Sequence, residues 1–127
     1  MPFLVKVGVA ELALGALSGW FVVLSLENPD WLRRRGVKQI PRIRQAHLDW
    51  IMMGTILVAI GAAVRDIPDW IAGLVVFGAL VNPTLFVPLA FSPGMSERTA
   101  YRALSVVSFS AMGGGLTALA VHVIGSG

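Results

Sequence analysis

Four apolar runs, roughly 3–26, 45–64, 70–91 and 98–124, take up almost all of the 127 residues. Each has the length of about 20 residues that an α-helix needs to cross the hydrocarbon of a bilayer. A backbone in hydrocarbon must bond every N–H and C=O internally, so runs of this length restrict the chain to membrane-spanning helices. The connections are short except the first. Short links between consecutive spans make neighbours antiparallel. The expected fold is therefore all-α: a four-transmembrane-helix antiparallel bundle forming one integral membrane domain over 1–127.

Composition agrees. Charged residues are 13% of the chain, against about a quarter in soluble domains, and the mean hydropathy is +0.77. The chain has no cysteine, which excludes disulfides, thiolate ligands, iron–sulfur clusters and a cysteine nucleophile. The isoelectric point near 10.2 does not require nucleic acid. Six of the ten basic residues, Arg33, Arg34, Arg35, Lys38, Arg42 and Arg44, lie in the first connection, where membrane topology alone would put them. With Arg98 and Arg102 at the third connection, they place loops 27–44 and 92–97 on the cytoplasmic side and both termini outside, as in a bacterial inner membrane protein. The first run has one flanking lysine, Lys6, an interrupting Glu11 and no small-residue cleavage pattern; it is expected to be a retained span. Trp31, Trp70 and Tyr101 fall at predicted interfaces as belt aromatics. A short interfacial helix is expected around Pro29–Val37, with Trp31 and Leu32 dipping into the headgroups.

Few polar groups enter the spans, and each has a structural and a functional reading. Glu11 lies about 12 Å along its helix from Phe3, at a rise of 1.5 Å per residue. A carboxylate at that depth is costly unless protonated, paired or hydrated; Arg65 and His122 are the partners expected. Asn82 precedes Pro83, with Pro88 further on. The prolines free the carbonyls of Ala79 and Thr84, so this helix is expected to kink with a buried amide at its bend. Asn82 either bonds a neighbouring helix or faces a cavity near His47. Ser105, Ser108, Ser110 and Gly113–Gly115 mark a close helix interface in the fourth span.

His47 stands at the mouth of the second span, followed on the same helical face by Trp50 and Gly54. An imidazole there is able to ligate a metal or move a proton near neutral pH. Gly54 admits something flat or another backbone. The plainer reading is that His47 reaches for water and Gly54 packs helices. No Gly-x-Ser-x-Gly, His-Glu-x-x-His or second histidine within a turn is present, which argues against a hydrolytic zinc site.

Ala46-His47-Leu48-Asp49, then Met53-Gly54-Thr55-Ile56-Leu57 and Gly61, resembles the second span of the small four-helix membrane proteins related to styrene oxide isomerase and hydroxylaminobenzene mutase. Asn82 resembles the buried asparagine of that family; Gly15 and Gly19 fit its first span more weakly. The resemblance covers most of the chain in span number, length and order, and about a dozen residues specifically. It implies a homotrimer binding haem b, with His47 as axial iron ligand. Trp50 and Gly54 would lie along the macrocycle, Arg42 and Arg44 near its propionates, and Asn82 would orient a small apolar oxygen-containing substrate for isomerisation at a Lewis-acidic iron. Two positions depart from the family pattern: Met53 replaces an asparagine and Phe86 a tyrosine, both removing hydrogen-bonding groups from the expected pocket. The span-1 region around Val7–Glu11 lacks the histidine found in some relatives. A different reading of the same chain is a non-enzymatic accessory subunit of a larger membrane complex, docking through its fourth span; a third is a small proton-path protein using Glu11 and His122.

Overall fold

The computed structural model describes residues 2–125. They form helices α1 (Phe3–Glu27), α2 (Pro29–Arg34), α3 (Pro41–Ala63), α4 (Asp69–Thr84), α5 (Phe86–Phe91) and α6 (Thr99–Gly125), with a 3-10 turn at Pro93–Glu97 before α6. Four segments, Phe3–Glu27, Pro41–Ala63, Asp69–Phe91 and Thr99–Gly125, are long and apolar enough to cross a membrane. The chain is an all-α four-helix bundle with the build of an integral membrane protein.

Three boundaries differ from the sequence reading, each for a local reason. The second span begins at Pro41, not near residue 45. Proline suits the first helical position, where its missing N–H has no partner to lose. Arg42 and Arg44 consequently lie in the first turn of α3 and not in a loop. The third span breaks at Leu85, between the prolines Pro83 and Pro88, into α4 and α5. The Tyr101 hydroxyl donates to the Leu85 carbonyl across 2.6 Å, so this aromatic caps the break as well as standing near the bundle end. The short helix after α1 ends at Arg34, and its Asn28 side chain accepts from the Trp31 N–H at 3.3 Å. Leu32 does not dip into headgroups: it is 3% exposed and packs with Val37 and Ala90 beneath Leu24, Ile40 and Ile43. Lys38 and Gln39 both donate backbone N–H bonds to the Ala90 carbonyl, at 2.7 and 3.0 Å, which ties the first connection to α5.

The helices meet as two tight antiparallel pairs, α1 with α3 and α4 with α6, joined by contacts of α3 with α4 and α5 and, more weakly, of α1 with α4; among the described residues the backbones of α1 and α6 are not neighbours. Glycines set both seams. A Cβ on Gly8 would stand 2.8 Å from the Gly54 carbonyl oxygen, and one on Gly54 3.0 Å from the Gly8 carbonyl oxygen. Further along, Gly61 faces Val5 and Gly15 faces Ile51. On the other pair, Gly78 faces Met112 and Gly115 faces Val75. Lipid tails are as apolar as leucine, so association rests on such close van der Waals fit and not on water expulsion. The central core is Leu4, Leu57, Ile71, Val75, Ala79, Met112 and Leu119.

A methyl at Gly78 would lie 2.7 Å from the Met112 Cβ and 3.0 Å from its Cα, so α4 and α6 must separate to admit it. Gly78→Ala is expected to destabilise the bundle by about 1–3 kcal/mol, read as a lowered unfolding midpoint by circular dichroism in detergent. Gly73→Ala, where a Cβ meets nothing within 4 Å, is expected to leave that midpoint unlowered. Equal effects of the two would contradict the seam.

Candidate functional site around His47

His47 projects from the second turn of α3 into the seam with α1, where Gly19 leaves room for its ring. A Cβ at Gly19 would stand 3.1 Å from His47 Cε1. The half-buried imidazole makes two contacts through one nitrogen. Nδ1 lies 2.6 Å from the Gly15 carbonyl oxygen and 3.1 Å from Ser18 Oγ. A carbonyl oxygen only accepts, so in the neutral ring Nδ1 carries the proton. The Ser18 hydroxyl is already donated to the same Gly15 carbonyl, at 2.6 Å, which leaves its oxygen to accept from Nδ1–H. Nε2, with its lone pair, takes part in no hydrogen bond among the described residues. This is how protein metal ligands are held: the distal ring nitrogen bonds a backbone carbonyl, and the orientation and tautomer follow.

Beside this arrangement lies a cavity of about 470 Å³ at the basic end of the bundle, with Ser18 and the His47 neighbours Ala46 and Trp50 on its wall. Phe21, Trp31, Val87 and Phe91 extend an apolar lining, and Arg35 is its one charged wall residue. The Arg35 guanidinium sits 4.4 Å above the Trp31 ring, an arrangement that steadies the cation without neutralising it. A volume of this size and an apolar lining with few polar groups suit a small-molecule or cofactor site.

The other residues singled out in the sequence are distributed differently. Trp50 joins the wall. Gly54 is buried, but α1 fills its space: the close partner is the Gly8 backbone, so no flat ligand reaches it. Arg42 is turned to the side, donating to Gln39 Oε1 at 3.1 Å and Gln45 Oε1 at 2.8 Å, and Arg44 is exposed. The cation at the cavity is Arg35 instead. Asn82 is 5% exposed and accepts a hydrogen bond from Ser108. Its hydrogen bond lies in the α4–α6 seam, whereas those of His47 lie in the α1–α3 seam. Glu11 pairs with neither Arg65 nor His122; both of its oxygens are buried without a hydrogen-bond partner.

Ser18 and Arg35 were not singled out by sequence. Ser18 had a faint signal: it is one of a Gly15–Ser18–Gly19 set of small residues on the helix opposite His47. Nothing distinguished Arg35 from its neighbours Arg33 and Arg34, because only the turn after α2, with Gly36 at φ +97°, decides which arginine folds back over Trp31.

Nitrogen-15 NMR of histidine-labelled protein is expected to show neutral His47 as the Nδ1–H tautomer; an Nε2–H tautomer would contradict the Gly15 bond. A double-mutant cycle of Asn82→Ala and Ser108→Ala is expected to give a favourable coupling of about 0.6 kcal/mol, up to about 1.7, with no coupling between Asn82→Ala and His47→Ala.

Compared with known proteins, the chain matches no family model, no curated protein and no solved structure.

Proposed function

We propose that this protein binds haem b in the membrane, with His47 Nε2 as axial ligand. The single observation that carries the reading is the anchored imidazole: Nδ1–H is committed to the Gly15 carbonyl, Nε2 makes no hydrogen bond among the described residues, and the ring, not itself part of the cavity wall, adjoins Ala46, Trp50 and Ser18, which are. Among the described residues no three His, Cys, Asp or Glu side chains converge. A metal held here must therefore bring most of its own ligands, as haem iron does in its porphyrin.

The residues present fit such a group. His47 would hold the iron, Trp50, Phe21, Val87 and Phe91 would exclude water, and Arg35 would meet a propionate. This assignment departs from the resemblance at two points. Arg35 takes the place expected of Arg42 and Arg44, and Gly54 is already occupied by α1. Bound haem supplies a Lewis acid able to polarise an oxygen atom of a substrate. The chain offers little to steer that chemistry. Asn82 is held by Ser108, Met53 and Phe86 carry no hydrogen-bonding group, and Ser18 is the one hydroxyl on the cavity wall. Isomerisation of a small apolar oxygen-containing substrate is thus the activity proposed, with Ser18 rather than Asn82 nearest to its path.

In this reading the basic end, carrying α2 and the starts of α3 and α6, faces the cytoplasm of a bacterial cell, and both termini lie outside. The exposed apolar faces contact lipid and neighbouring copies in a homotrimer.

Detergent-purified protein from haem-replete cells is expected to show a Soret band that His47→Ala abolishes. Ser18→Ala is expected to weaken haem retention roughly 10-fold, the usual scale for losing a residue that supports a metal-ligating histidine. Arg35→Ala is expected to weaken it further than Arg44→Ala. A colourless wild-type protein sinks the proposal.

A further inference from the structure

Glu11 is 1% exposed, among the largest fully enclosed side chains of the bundle, and neither carboxyl oxygen has a hydrogen-bond partner. Among the described residues it is the one side chain with buried polar atoms left in this condition. Of the other buried polar side chains, Ser108 donates its hydroxyl to Asn82 Oδ1. Glu11 emerges from α1 between Gly8 and Gly15, two positions where an added Cβ would lie within 3 Å of α3 atoms.

The charged groups around it offer no neutralisation. On α3, Asp49 is the one that acts on Glu11 electrostatically, and its charge has the same sign. The His47 ring is directed to Gly15 and Ser18. On α1 itself Lys6 is exposed. From the third span no titratable side chain follows Asp69 as far as Phe91; the α6 backbone does not pack beside α1, and His122 makes no hydrogen bond to either Glu11 oxygen. An isolated carboxylate in such a place carries a desolvation cost of many kcal/mol and takes up a proton instead.

We propose that Glu11 is a proton-binding site inside the bundle, holding its proton while the α1–α3 seam is closed. The glycines that let the seam close bring low-polarity walls around the carboxyl, and the bound proton is what makes that closure compatible with a glutamate. Loss of the proton leaves an anion that demands water or a cation, so release requires α1 and α3 to part. The site is separate from the apolar cavity at the basic end: Glu11 is not on its wall, and haem content does not bear on it.

Dicyclohexylcarbodiimide, an apolar reagent that adds to protonated carboxyls in low-polarity surroundings, tests this on the intact protein in liposomes. Peptide mapping by mass spectrometry is expected to find the adduct at Glu11, forming faster as pH falls, and absent in Glu11→Gln. Sodium ions at constant pH are expected to leave the rate unchanged. Labelling of Asp49 or another carboxyl in place of Glu11, or no labelling, overturns the proposal. Suppression by sodium overturns it in favour of a metal-cation site. Should Glu11→Gln fail to fold, the location, pH dependence and sodium response of the wild-type adduct decide alone. A colourless protein that still labels at Glu11 would refute the haem reading and keep this one.

Discussion

The close approach of α1 and α3 is the constraint on which the rest depends. Gly8 and Gly54 bring the two backbones together, and Gly15, Gly19 and Gly61 continue the seam toward both ends. That spacing brings the Gly15 carbonyl within 2.6 Å of His47 Nδ1. A larger residue at Gly19 would collide with the imidazole itself. The same closure buries Glu11 with no partner. One packing decision thus creates both the anchored histidine and the isolated acid. They differ in outcome because a backbone carbonyl stands opposite one and no hydrogen-bonding group opposite the other.

The α4–α6 pair uses the same device toward a different end. Gly78 and Gly115 admit the other helix, and the polar groups in that seam, Asn82 and Ser108, bond each other. A hydrogen bond of this kind in a membrane contributes about 0.6 kcal/mol on average, so its main effect is to set register. The proline break at Leu85 redirects the chain into α5, whose Ala90 carbonyl receives two N–H bonds from the first connection. That tie folds α2 over the end of the bundle, and with it come Trp31 and Arg35, which complete the cavity beside Ser18 and Trp50.

Much of the architecture was readable along the chain. Span number, order and the short helix after α1 follow from hydropathy and from turn residues such as Asn28 and Pro29. The kink was visible in Pro83 and Pro88. Boundaries were less so, because Arg42 and Arg44 look like loop residues until Pro41 is recognised as the first residue of a helix. His47 stood out in the sequence, and the structure anchors its ring on Gly15 and Ser18, with Trp50 on the wall of the neighbouring cavity. Gly54, Asn82 and the two arginines were drawn toward it by proximity in sequence or by resemblance; in the fold Gly54 packs on Gly8, Asn82 bonds Ser108, Arg42 bonds Gln39 and Gln45, and Arg44 is exposed.

By itself the sequence determined that the chain is a four-helix bundle of membrane-spanning length with its basic residues gathered at one end. Those properties depend on run length, hydropathy and helical periodicity, which are local. Tertiary structure alone decided which nitrogen of His47 is occupied, which arginine reaches the cavity, and that Asn82 has a hydrogen-bond partner while Glu11 has none. Each of these depends on which helix lies opposite at a given height. In a membrane that pairing is set by close packing of small residues across seams, and hydropathy carries no record of it.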